Sequence, residues 1–257
     1  MKFKAALVLS SVALSACASI PPGHEKEMAE FEAILAEKGL PSFHSGIQIM
    51  PRSQLGLPKE VLRSGEIEAK QQDETGYVDK NVPYASELLA MKDVAPINVK
   101  LYAANNDEQG THLRKSARDL KLAFKFKGVE SDDFLLRSNN NITVLGSAPQ
   151  GAFNKENGGW SGAAQFFAVK NIGVCSYGVM NVKASGTSAL LAMEDVTYAI
   201  HNKATLTHIE GSKNSGFLYK VEWFDDNNFH ELECANPQYS KQINHDVISL
   251  ARTIDEL

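Results

Sequence analysis

Residues 216–235, "GFLYKVEWFDDNNFHELECA", restrict the fold more than any other stretch of this chain. Two runs of alternating character flank Asp225–Asn228, four residues of high turn preference, and this reads as a β-hairpin. A four-residue loop sets the register. Trp223 then lies opposite His230, Val221 opposite Leu232 and Tyr219 opposite Cys234, all six on one face. The other face pairs Glu222 with Glu231, a mildly unfavourable contact, and Lys220 with Glu233, a favourable one. A slip of one residue would exchange the faces, so the apolar set fixes the pairing. Cys234 therefore points inward beside Tyr219.

Short apolar runs between turn clusters recur from Phe134 onward, in "FLLRSNNNITVLGSAP", "AQFFAVKNIGVCSYGVMNV" and "VTYAIHNKATLTHIEGS". Their spacing suits an antiparallel sheet better than parallel strands joined by helices. Upstream, "LKLAFKF" alternates Leu120, Leu122, Phe124 and Phe126 with lysines and Ala123, the pattern of a strand with one wet face. "INVKLYA" is a further candidate strand. At the end of the chain Tyr239, Ile243, Val247, Leu250 and Ile254 step by three or four along one helical stripe. The predicted class is α+β: an antiparallel β-sheet of six to eight strands between about residues 97 and 234, flanked by an N-terminal amphipathic helix and a C-terminal helix.

The N-terminal helix is read from "HEKEMAEFEAILAEKG", where Met28, Phe31, Ile34 and Leu35 form the apolar stripe. Leu40 to Val82 is broken by Pro51, Pro58, Gly65 and Gly76 and reads as a loop or extended arm. In "VPYASELLAMKDVAP", Pro83 suits a first helical position, and the helix should run through Met91 and end before Pro96. The predicted organisation is a signal peptide at 1–16, a tether at 17–23, a helical and irregular region at 24–96, and a sheet domain with its C-terminal helix at 97–257.

The first segment has a separate meaning. Lys2 and Lys4 precede an apolar run from Ala5 to Leu14, too short for a membrane span, which takes roughly 20 apolar residues, but suited to a secretory signal. The run ends in Leu14, Ser15, Ala16 and Cys17, which resembles the lipobox of bacterial lipoprotein precursors. The resemblance implies cleavage before Cys17, a diacylglyceryl thioether on its sulfur and often a third acyl chain on its amine. Two or more chains give stable anchoring where one gives only reversible binding. Ala18 and Ser19, in place of an Asp, imply the outer membrane in enteric-type bacteria. Ala16, Cys17 and Ala18 also fit an ordinary signal cleaved after Ala18, so that alternative stays open at this point.

Once Cys17 is assigned to lipid, Cys175 and Cys234 remain of the three cysteines. In an exported chain such a pair forms a disulfide, with two buried thiols or a catalytic cysteine as the alternatives. Loss of Lys2 and Lys4 with the signal takes the formal charge from −5 to −7, which argues against general nucleic-acid binding. The densest basic patch, "HLRKSARDLKLAFKFKG" from His112 to Gly128, suits either a solvated face or a phosphate-bearing surface such as lipid headgroups.

Catalytic patterns are weak. "GWSGA" places Ser161 in an approximate nucleophile elbow, and "GTSAL" places Ser188 in a poorer one, but the flanking residues do not form the required strand, turn and helix. The reading for Ser161 is a glycine-rich loop. His201 and His208 are candidates to face each other across a hairpin, and Asp225, Asp226, His230 and Glu231 cluster in sequence without the spacing of a zinc or calcium site. No cofactor or metal is expected. The functional expectation is a membrane-anchored lipoprotein with a non-enzymatic binding or envelope-assembly role, bound to the membrane through Cys17 and to an envelope protein partner. The alternative is an envelope hydrolase with Ser161 as nucleophile and His201, His208 or His230 as base.

Overall fold

A computed structural model describes residues 46–96, 113–131, 134, 141–155, 158–185, 188–225 and 227–257. The helix expected at 24–39, the strand at "INVKLYA", Cys17 and Asp226 lie outside these residues. The main sheet contains strands β2 (Val78–Asp79), β3 (Ile142–Asn154), β4 (Gly159–Val169), β5 (Gly173–Asn181), β7 (Thr197–Ile200), β8 (Lys203–Ser212), β9 (Gly216–Phe224) and β10 (Asn228–Asn236). Its order is β2-β8-β9-β10-β5-β4-β3, with β7 paired to β8. A separate parallel pair joins β1 (Gly46–Met50) to β6 (Ser188–Ala192), and a short helix α3 (Val182–Ser185) follows β5.

The class is α+β, and the sheet is mixed: β2 runs parallel to β8, while its other pairs are antiparallel. The hairpin of β9 and β10 has the register that its turn dictates, with Trp223 opposite His230, Val221 opposite Leu232 and Tyr219 opposite Cys234. Asp225 makes the turn, its Oδ1 accepting the backbone N–H of Asn227 and of Asn228 at 2.8 Å each. Beyond β10 the next strand is β5, which sets Cys175 directly opposite Cys234. The two form a disulfide that spans 59 residues of sequence.

Both faces of the sheet are covered. On the disulfide face helix α4 (Lys241–Asp255) buries Val247, Leu250, Ala251 and Ile254 against Phe217, Tyr219, Val221 and Trp223. Full burial of each large aliphatic side chain contributes about 1.5–3 kcal/mol. Tyr219 also places the helix start: its hydroxyl accepts the N–H of Ser240 at 2.7 Å and donates to the carbonyl of Gln238 at 3.1 Å. Ser240 then caps the helix, its Oγ accepting the N–H of Gln242. On the opposite face helix α2 (Pro83–Ala90) lays Ala85 and Leu88 on Val174, Leu218 and Ala235. Pro83 begins it, and a 3-10 turn at Met91–Asp93 ends it before Pro96.

Two expectations are corrected. The described part of the stretch read as an arm, residues 46–82, is not irregular throughout, because Lys59–Thr75 form a 17-residue helix, α1. Only Val61, Leu62 and Ile67 are large and apolar in it, and none of its residues is buried, so it has no strong amphipathic stripe to read. Its end was legible: Gly76 follows in the left-handed conformation at φ 89°, where a Cβ would also strike the Tyr239 hydroxyl. Gln72 tethers α1 by acting as a short strand, donating from Nε2 to the carbonyl of Thr207 and accepting the N–H of Ile209 at β8.

The second correction concerns "LKLAFKF", which belongs to no strand. Leu120 and Leu122 are isolated bridge residues, and Leu122 bridges in parallel to Trp160, supported by bonds from the Ala123 N–H to the Trp160 carbonyl and from the Trp160 N–H to the Lys121 carbonyl. The alternation is real, since it separates the lysines from Leu120, Leu122, Phe124 and Phe126, which pack toward the sheet around Ala163. Period-two alternation reports which way side chains point and does not say what the backbone pairs with. Gly159 permits the close approach: a Cβ there would lie 2.3 Å from the backbone carbon of Leu122.

Candidate functional site

Ser161 sits within β4 and not in a glycine-rich loop. It is fully buried, its Oγ accepts the N–H of Ala152 at 3.0 Å, and strand residues on both sides leave no strand-to-helix elbow. Ser188 opens β6, paired with Gly46. None of the three histidines offered as a base bonds to Ser161. His201 lies in the turn between β7 and β8 and holds Asp255 at 2.9 Å and Glu256 at 3.4 Å. His208 lies 3.3 Å from Glu210 on β8, so His201 and His208 do not face one another as a pair. Cys175 is committed to the disulfide and is no nucleophile.

His230 is the best-placed of the three. Its Nε2 meets Asp225 Oδ2 and its Nδ1 meets the Tyr177 hydroxyl, each at 2.9 Å, and its ring stacks on Trp223 with centroids 5.0 Å apart. Burial alone would raise the Asp225 carboxyl, but the bonds from His230 and from the turn amides outweigh it and hold the group well below the usual carboxylate range. Burial, then the nearby Asp255 and Asp225 charges, push the Tyr177 phenol far above its ordinary value. Tyr177 is therefore a hydrogen-bond donor and not a nucleophile. With Nε2 donating to Asp225, Nδ1 can accept from the Tyr177 hydroxyl, so one ring arrangement satisfies both partners. The sequence showed Asp225 and His230 together, but Tyr177 comes from β5 and had no local signal.

The opposite face holds a second charged group that sequence reasoning took only as cross-strand pairs. Lys220 Nζ lies 2.7 Å from Glu231, 3.3 Å from Glu222 and 3.5 Å from Glu233, beneath α2. Tyr84 of α2 bonds to Glu233 and Ser176. Burial, followed by the Glu231 charge, pushes the Glu233 carboxyl up to about 8, and burial also raises Glu222. Burial would lower Lys220, but its three carboxylate neighbours override this and raise it. One ammonium facing three carboxylates is better balanced when a carboxyl keeps its proton. Among the described residues no group of His, Cys, Asp and Glu has the arrangement to hold a metal ion.

An open concavity lies on the disulfide face, where residues 117–131 cross the sheet. It encloses about 550 Å³ between Leu120, Leu122, Phe124 and Phe126 and is closed at one end by Leu257. Arg118, Lys127 and Glu130 stand at its edge. Glu130 is occupied, accepting Ser116 Oγ at 2.8 Å and Gln165 Nε2 at 3.1 Å. Gln165, buried on β4, also takes the Val129 N–H on its Oε1 at 2.6 Å and so ties the segment that lines the groove to the sheet. This size lies within the range of about 300–1,000 Å³ that small-molecule sites occupy. No protein-family model, curated protein or solved structure matches the chain.

Proposed function

We propose that this chain is a bacterial lipoprotein, anchored to the outer membrane through acyl chains on Cys17, whose folded part binds a ligand or envelope partner without catalysing a reaction. The observation that carries the reading is the Cys175–Cys234 disulfide, which suits an oxidising compartment and leaves Cys17, after its apolar run, as the remaining cysteine of three. Support also comes from Ser161, whose buried, hydrogen-bonded hydroxyl gives the hydrolase alternative no exposed nucleophile. No helix among the described residues is long and apolar enough to cross a membrane.

Metabolic labelling with palmitate and membrane fractionation test the anchor. The wild type should incorporate label and sediment with membranes, and Cys17→Ser should lose both. Retention of label and membrane association in Cys17→Ser would overturn the reading. For the binding role, in-cell crosslinking should capture a reproducible envelope partner that disappears with the anchor. Fluorophosphonate labelling that is lost in Ser161→Ala would instead establish the hydrolase.

A further inference from the structure

The groove beside residues 117–131 has a charge opposite to that of the molecule. Residues 113–131 carry six Arg and Lys against two carboxylates, in a chain of net charge −5. Lys115, Arg118, Lys121, Lys125 and Lys127 are exposed, and none of these five pairs with a side-chain carboxylate among the described residues. Lys121 lies 5.9 Å from the Phe153 ring centroid, and Lys127 donates to the main-chain oxygen of Leu257 at 2.5 Å, leaving two N–H groups for another acceptor. Leu122, Phe124 and Phe126 are half-buried and give the groove an apolar wall without filling it.

An apolar channel rimmed by Arg118 and Lys127 matches a molecule with the same division of chemistry. We infer that the groove binds a single-chain anionic amphiphile, its acyl chain against Leu120, Leu122, Phe124 and Phe126 and its phosphate or carboxylate head at Arg118 and Lys127. Guanidinium is suited to the head, because its planar fork meets two oxygens of a phosphate or carboxylate at once. The surrounding lysines raise the local concentration of anions at the mouth. Stacking of Phe126 on Tyr177, with centroids 5.9 Å apart, ties one wall to the sheet, so the groove is held largely preformed. This inference rests on the binding reading above for its site, but not on the lipid at Cys17.

Calorimetric titration of the full chain carrying Cys17→Ser with monomeric dodecyl phosphate, below its aggregation concentration, tests it separately from anchoring. One-to-one saturable binding is expected, with affinity falling about tenfold or more in Arg118→Glu, a loss of about 1.4 kcal/mol. Arg118 is exposed and outside the core, so the variant should fold, which its circular dichroism would verify; Arg118→Lys, which keeps the charge but not the planar fork, should bind with an affinity between those of wild type and Arg118→Glu. Dodecyl maltoside should bind more weakly than dodecyl phosphate, and inorganic phosphate alone should not compete at equal concentration. Equal affinity in wild type and Arg118→Glu would overturn the inference, as would equal binding of the neutral amphiphile or of inorganic phosphate. Binding to anionic vesicles without binding of the monomer would replace it with a membrane-surface role.

Discussion

The carboxyl of Glu233 keeps a proton at a pH where its type is ordinarily ionised. Its folded value of about 8 lies above the unfolded carboxylate value of about 4.3. Between these limits the folded state keeps a proton that the unfolded state has released, so stability falls as pH rises from about 4 to about 8 and levels beyond. Glu233→Gln should therefore match the wild type near pH 4 and exceed it at pH 8 by about 1 kcal/mol or more, read as the urea midpoint. An unchanged pH slope would place the proton elsewhere in the cluster. Glu210 works in the opposite sense: burial raises it, but His208 and Lys80 outweigh burial and bring it down to about 2. Its contribution is present above about pH 4 and is lost as pH falls toward 2. Legibility at this scale followed strand register. The Lys220–Glu233 and Glu222–Glu231 pairs could be read from the hairpin, whereas Tyr84 and Tyr177 could not, because each arrives from another element.

Elements that carried their own boundary signals were the readable ones. The hairpin of β9 and β10 had a polar turn and two alternating runs, and α4 had an apolar stripe of four turns after Ser240. By contrast, α1 makes few contacts with the core and so needs little apolar sequence, and 120–126 satisfies its alternation by lying across β4. Cys175 and Cys234 stand between these cases. Each could be placed on a strand, but their meeting depends on β5 lying next to β10. Reduction of this bridge, which closes 59 residues, should cost about 4 kcal/mol in the chain-entropy description. The test is chemical denaturation with and without reductant, with Cys175→Ala/Cys234→Ala as a control that is insensitive to reductant. A reductant-independent midpoint in the wild type would show that the thiols are not paired.

Across the whole molecule, stability should be uneven. Every residue of β9 is buried between α4 and α2, while no residue of α1 is. Amide hydrogen exchange should therefore be slowest in β9, β10 and β5 and approach global unfolding there, with α1 exchanging much faster through local opening. Equal protection in α1 and β9 would contradict this arrangement. The charge distribution has the same uneven character, with a cationic strip beside the groove on a chain that is acidic overall. That contrast is what gives the groove a definite ligand chemistry.

By itself the sequence determined what depends on neighbours in the chain. It set the register of β9 and β10, the apolar face of α4, the Pro83 start of α2 and the lipobox-like setting of Cys17. Each rests on periodicity, turn chemistry or a short motif within about 20 residues. Only the tertiary structure decided which strands lie side by side, that β2 joins the sheet in parallel, and that Ser161 is enclosed in β4. It also decided that three glutamates share one lysine under α2 and that a basic stretch borders an apolar groove. Alternation tells each side chain which way to face, while its partners, burial and proton affinity are set by whatever distant segment comes to cover that face.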